Sequence, residues 1–195
     1  MHAAMPLHIK RIPWLLVPML LTIGLDRWSK EWATAHLMHR YPVSYWNDFF
    51  RFQYALNEGA FLSLGSELHA GLRYWILAVL PVLVLLYILY YVLTTTDLRY
   101  WAQLAFGFIL GGGGSNIFDR LVDGHVVDFM NMGFKTLRTG IFNVADMGIM
   151  AGLFMLLFTM FGHHPKTTDQ SAGTSAPEKD EIPEQATSSD TPQQD

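Results

Sequence analysis

Long apolar stretches, broken at a few points by carboxylates, organise this chain. The runs Tyr74 to Leu93 and Tyr100 to Phe118 carry no charged residue, and the run Ile141 to Gly162 carries one, Asp146. A helix of roughly 20 apolar residues spans the hydrocarbon core of a bilayer, so each run predicts a membrane helix. A fourth begins with the apolar stretch Ile12 to Leu25 and continues through Asp26-Arg27-Trp28-Ser29-Lys30 toward Ala35. The fold class expected is an all-α membrane protein with four transmembrane helices, over residues 12–32, 72–93, 100–118 and 141–162. The first stretch, after Lys10-Arg11 and before Ala33-Thr34-Ala35, also has the outline of a cleavable secretory signal. The charged run Asp26 to Glu31 sits awkwardly for that alternative.

Other patterns fill the gaps between the runs. Phe50-Arg51-Phe52-Gln53-Tyr54-Ala55-Leu56 alternates with period two, which predicts a strand with one apolar face. With Tyr41, Tyr45, Trp46 and Phe49 nearby, a small sheet lying on the bilayer surface is expected. Further on, His125-Val126-Val127-Asp128-Phe129 reads as extended and Thr139-Gly140 as a turn. Pro81 falls inside the second run and Gly111 to Gly114 inside the third, where a neighbouring helix backbone or a substrate could come close. Residues 163–195 are Pro, Ser, Thr, Gln and acids with hardly a large apolar side chain, which predicts a disordered acidic tail.

Composition agrees with a membrane protein: 51% of residues are hydrophobic, 15% charged and 14% aromatic. The formal charge of −4 comes from the tail, which holds seven of the 17 acids and two of the 13 basic residues. The rest is near neutral, so no basic face for nucleic acid is expected. Without cysteine there is no disulfide or thiolate metal site. Lys10, Arg11, Arg99 and Lys166 on one side balance Arg40, Arg51, Lys135 and Arg138 on the other, so charge bias assigns no orientation.

Ionisable groups in or at the ends of membrane spans are costly, which makes Asp26, Asp119, Asp128 and Asp146 the candidates for chemistry. Asp146 follows Asn143 by three residues, a spacing that would put both on one helical face. Asp26 has a structural alternative in a helical ion pair with Lys30, Asp119 one as an interfacial cap beside Arg120, and Asp146 one as a carboxyl satisfied by neighbouring helices. The eight histidines are scattered and suggest no metal site, and neither Ser63 nor Ser115 stands in a nucleophilic-serine motif. Two carboxyl groups held close share a proton and can act as base and acid on a water and a carbonyl. Spacing alone leaves open which two of the four meet.

The motifs, in order, resemble the prolipoprotein signal peptidase (signal peptidase II) family. Asp26-Arg27-Trp28-Ser29-Lys30 is similar to its D-x-x-S-K stretch, and Asn57-Glu58-Gly59-Ala60 to its N-x-G-A segment. Gly111-Gly112, Asn116 to Arg120 and Gly124 to Phe129 resemble G-G-x-x-G-N-x-x-D-R-x-x-x-G-x-V-x-D-F, and Phe142 to Asp146 with Ile149 and Gly152 resembles F-N-x-A-D-x-x-I-x-x-G. The pattern departs in two places: Phe61-Leu62 stand where a small residue and a bulky one are usual, and Ser115 replaces the third glycine. Both lie away from the expected catalytic pair and point to altered substrate fit.

This resemblance implies a membrane aspartyl peptidase of the bacterial inner membrane, with both termini cytoplasmic and the sheet and active site near the periplasmic face. It implies Asp128 and Asp146 as the catalytic pair, with Asp26, Lys30, Asn57, Gly59, Gly112, Asn116, Asp119, Arg120 and Asn143 supporting them or lining the substrate site. The implied substrate is a diacylglyceryl-modified prolipoprotein, cut on the amino side of the lipid-bearing cysteine, with membrane lipids as surroundings, no metal or cofactor, and a monomer favoured. Two other classes stay in view. A metal-dependent lipid head-group transferase would gather Asp119, Asp123 and Asp128, and a proton-coupled carrier or silent scaffold would also use intramembrane aspartates.

Overall fold

The structure, a computed structural model, describes residues 12–58, 69 and 75–161. By its contacts the chain divides into Met1–His163 and His164–Asp195, and all described residues belong to the first unit. The expected tail, Gly59 and Phe61-Leu62 lie outside the described residues.

Four α-helices are present among the described residues: α1 (Ile12–Leu37), α2 (Leu80–Thr94), α3 (Tyr100–Val122) and α4 (Val144–Phe161). A π-helical turn, Trp75–Val79, leads into α2. Pro81 is the second residue of α2, where the π-helical turn gives way to the α-helix. Two helices outrun the apolar stretches that predict them. α1 continues to Leu37 because its charged residues find partners inside the bundle, and α3 continues to Val122. Asp123 closes α3, and Gly124 follows at φ 75°, the left-handed conformation that glycine adopts without strain and that commonly ends helices.

The strands β1 (Val43–Tyr45), β2 (Phe50–Asn57), β3 (Val126–Phe134) and β4 (Leu137–Arg138) form one antiparallel sheet in the order β1-β2-β3-β4. The period-two pattern of β2 is expressed as expected. Phe50, Phe52 and Tyr54 pack on a cluster containing Ala33 and Leu37 of α1 and Phe129 and Met130 of β3. Between β3 and β4 the chain reverses before Thr139-Gly140, through Lys135 at φ 50°. Register sets Ala55 opposite Asp128 and Asn57 opposite Val126, which brings Asn57 diagonally beside Asp128.

α3 is the central helix, packed on α1 along one face and on α4 along another. Glycines permit both contacts. A Cβ on Gly111 would stand 2.6 Å from the Met19 carbonyl oxygen of α1, and one on Gly112 would stand 2.2 Å from the Ala145 carbonyl oxygen of α4. At Gly111 and Gly112 the partner that comes close is a helix backbone, that of α1 for the first and of α4 for the second.

Burial is inverted relative to a water-soluble bundle. Asp26, Ser29, Lys30, Ser115, Asn116, Asp119 and Asn143 are buried, while Val17, Leu20, Leu83, Tyr87, Leu153 and Phe158 are exposed. Among the described residues no helix is long and apolar enough to cross a membrane. The charged run at the end of α1 and the glycines, Ser115 and Asn116 of α3 dilute the two longest helices, and α2 has 15 residues.

Candidate active site

The start of α4 builds the centre of the site. Asn143 precedes the helix, and its Oδ1 accepts the Asp146 backbone N–H at 3.0 Å while Asp146 Oδ2 accepts the Asn143 backbone N–H at 3.1 Å. This reciprocal pair is a capping box, which satisfies donors that a helix start otherwise leaves orphaned. The three-residue spacing of Asn143 and Asp146 thus marks a helix terminus, in place of the shared helical face expected from sequence.

Asn143 is fully buried and also reaches outward. Its Nδ2 donates to Asp128 Oδ1 at 2.7 Å and to Asn116 Oδ1 at 3.1 Å. Asn116 Nδ2 in turn donates to Asp146 Oδ1 at 2.8 Å, and Asn57 Nδ2 donates to Asp128 Oδ2 at 2.9 Å. A single asparagine therefore bridges Asp128 to Asp146. Burial pushes the Asp128 carboxyl up to about 6, against the hydrogen bonds from Asn57 and Asn143 and with the Asp146 charge adding to the rise. Asp146 and Asn57 are only half-buried, so the pair is within reach of solvent.

The other two aspartates belong to a different network. Lys30 Nζ donates to Asp26 Oδ2 at 2.6 Å and to Asp119 Oδ2 at 2.7 Å, and Arg27 also pairs with Asp119. Asp26 Oδ1 accepts the Ala145 backbone N–H at 2.9 Å, so a carboxylate of α1 sits at the positive end of α4. Cations neutralise Asp26 and Asp119, whereas Asp128 accepts from the side-chain amides of Asn57 and Asn143, and Asp146 from the Asn116 amide and the Asn143 backbone N–H.

A family model described as "Signal peptidase (SPase) II" matches residues 18–162. The chain belongs to the signal peptidase II family. It is 36% identical over 145 residues to the lipoprotein signal peptidase of Gloeobacter violaceus, covering 74% of this chain and 80% of that one. It is 31% identical over 161 residues to that of Xanthomonas euvesicatoria, covering 83% and 91%. A solved structure titled as a bacterial membrane enzyme aligns with a TM-score of 0.63 at 19% identity, over 91% of this chain and all of the other, and shares its fold. Family membership brings with it signal peptide removal from prolipoproteins, a protease activity.

In this signal peptidase II chain the structure gathers most of the residues singled out from sequence. Asp128, Asp146, Asn57, Asn116 and Asn143 form one hydrogen-bonded group, and Asp26, Lys30 and Asp119 form another that meets it at Asn116 through a 2.9 Å bond from Lys30. Arg120 Nη1 donates to the Asn116 carbonyl oxygen at 3.3 Å and stands within the field of Asp128, Asp146 and Asp119. The ion pair of Asp26 with Lys30 exists, but buried and shared with a third residue, and Asp119 is a buried partner of cations in place of an interfacial cap.

Two residues carry more than their sequence suggests. Ser115 Oγ donates to Asp26 Oδ2 at 2.6 Å, so this departure from the family pattern enters the buried network that holds α4. Arg27 pairs with Asp119 and lies over the Phe118 ring at 5.2 Å. The signal for Arg27 is the charged run inside an apolar span; for Ser115 the sequence holds none beyond the departure itself. The carboxylates that a transferase would gather diverge, Asp119 toward Lys30 and Asp128 toward Asn57 and Asn143. Among the described residues no group of three His, Asp or Glu is placed to hold a metal ion.

Proposed function

We propose that this chain is an intramembrane aspartic endopeptidase that removes signal peptides from diacylglyceryl-modified prolipoproteins on the amino side of the lipid-bearing cysteine, with Asp128 and Asp146 as its catalytic pair. The observation that carries this reading is the Asn143 bridge, whose side-chain amide donates to Asp128 and whose backbone N–H donates to Asp146. Burial favours the protonated form of Asp128 in spite of its amide donors, which suits it to give a proton.

Asp146 as base takes a proton from water, whose oxygen attacks the scissile carbonyl carbon, while protonated Asp128 gives its proton to the carbonyl oxygen. The tetrahedral diol then collapses: the C–N bond breaks, Asp146 returns its proton to the leaving nitrogen, and Asp128 recovers one from the diol. Arg120, beside both carboxylates, supplies positive charge toward the substrate backbone.

The exposed apolar side chains of α1, α2 and α4 support a bilayer setting, with polar groups turned inward where water is scarce. In this reading the four helices are membrane spans of the bacterial inner membrane, both termini are cytoplasmic, and the sheet carries Asp128 near the periplasmic face. Lipids surround the monomer. The test is to incubate the purified protein in lipid vesicles with a diacylglyceryl-modified preprotein, beside Asp128→Asn and Asp146→Asn. Wild type is expected to release the signal peptide and both variants to leave the preprotein whole. An inert wild type, or either variant cutting at the full rate, removes the assignment.

A further inference from the structure

We infer that Lys30 is a positioning residue for peptide cleavage, acting through the side-chain amide of Asn116 to hold Asp146 as the proton-accepting member of the pair. The inference rests on the peptidase reading above. Lys30 is buried, at 5% exposure, and its ammonium nitrogen meets three acceptors: Asp26 Oδ2 at 2.6 Å, Asp119 Oδ2 at 2.7 Å and Asn116 Oδ1 at 2.9 Å. An ammonium group only donates, so the end of the Asn116 amide that faces it must be the carbonyl oxygen. Asn143 Nδ2 points at the same oxygen from 3.1 Å and imposes the same choice.

The other end of the amide is thereby committed. Asn116 Nδ2 faces Asp146 Oδ1 at 2.8 Å and can only donate to it. Turning the amide over would set its NH2 against an ammonium and another NH2, and its oxygen against a carboxylate, exchanging three attractive contacts for three repulsive ones. With the Asn143 backbone N–H on Oδ2, Asp146 receives a donor on each oxygen, and the donor from Asn116 is polarised by the cation behind it. That polarised donor favours negative charge on Asp146, which is left to accept a proton from water while Asp128 holds the shared one.

The surroundings keep the ammonium in place. Ser115 and the Ala145 N–H hold Asp26, and Arg27 holds Asp119, so both counter-charges are fixed by groups other than Lys30. Two carboxylates and two cations balance, which limits the cost of burying the lysine.

Kinetics in lipid vesicles with a diacylglyceryl-modified preprotein, combined with thermal melts, separate positioning from plain support. Lys30→Arg keeps the charge yet cannot place one nitrogen on three acceptors. It is expected to lower kcat by about tenfold or more with KM nearly unchanged. The paired change Lys30→Met with Asp26→Asn removes charge and counter-charge together and is expected to lower kcat by about 100-fold, as is Asn116→Ala alone. If Lys30 acts through Asn116, adding Asn116→Ala to the paired change costs little more. A wild type that leaves the preprotein whole defeats the peptidase reading before any variant is compared. With an active wild type, Lys30→Arg at the wild-type kcat, or losses that multiply in the combined variant, overturns the role of Lys30 alone. So does loss of the melting transition in both Lys30 variants while Asn116→Ala stays folded, since that result marks Lys30 as structural.

Discussion

Asn143 Nδ2 stands 2.7 Å from Asp128 Oδ1, so the residue that caps α4 also secures the carboxylate of a strand. Helix start and the geometry of the proposed pair are thereby one construction. The distance between the proposed acid and base is fixed by a residue that forms no part of either.

Replacing Asn143 separates these two tasks. Asn143→Ala removes the cap and the bridge, and is expected to cost about 1–2 kcal/mol of stability and at least ~100-fold in cleavage rate. Asn143→Ser keeps a capping hydroxyl but is too short to hold Asp128, so its melting temperature stays closer to wild type while cleavage remains low. Equal cleavage by Asn143→Ser and wild type, measured on the same lipidated preprotein, would contradict the bridge.

The glycine run predicts opposite effects two positions apart. A Cβ at Gly112 meets the Ala145 carbonyl oxygen at 2.2 Å, which is backbone and cannot rotate away, whereas one at Gly114 meets nothing within 4 Å. Gly112→Ala is expected to destabilise by about 1–3 kcal/mol and to displace Asp146 along with the start of α4. Gly114→Ala should be neutral or stabilise by roughly 0.5–1 kcal/mol, because alanine is the better helix former. Thermal denaturation of both variants in the same lipid or detergent decides the comparison.

Activity should fall on the alkaline side. The Asp128 carboxyl is raised to about 6, so below that pH it holds the proton that the acid must donate, and above it the pair becomes doubly ionised. The pH profile of kcat/KM, which reports the free enzyme, is expected to show an alkaline limb near 6, and a bound substrate that excludes water would move the limb of kcat higher. A profile of kcat/KM rising through that range would assign the proton elsewhere.

Ser115→Ala removes one donor from Asp26 and leaves two, from Lys30 and the Ala145 N–H. About 1 kcal/mol of stability is expected to be lost, with little change in the cleavage rate. A melt on Ser115→Ala beside Asp26→Asn gives the comparison, and the aspartate change should be clearly the more damaging because it removes the carboxylate that faces the buried Lys30 ammonium. Similar stability in the two variants would mean that this ion pair contributes little to the fold.

Much of the fold was legible without coordinates because its signals are local. The apolar runs mark four helices, and the alternation of Phe50, Phe52 and Tyr54 marks the strand whose ring-bearing face packs on α1 and β3. Helix ends were less legible, since α1 and α3 continue through charges that only a partner elsewhere in the chain makes tolerable. The three-residue spacing of Asn143 and Asp146 fits a helical face and a capping box equally well, and the two differ only in where the helix begins.

By itself, then, the sequence determined which side chains could do chemistry: carboxylates and amides set in apolar stretches, ordered in motifs that resemble one family. Tertiary structure alone divided the four aspartates. Asp26 and Asp119 lie against Lys30, and Asp128 and Asp146 lie on either side of Asn143; the pairings that complete each group, Asp119 with Lys30 and Asp128 with Asn143, join residues 89 and 15 positions apart. Whether a carboxylate meets a cation or an amide depends on which helix faces lie together, and that is settled by packing at Gly111 and Gly112 and by the register of β2 on β3. No spacing along the chain contains that information, because it arises only when distant segments share one interior.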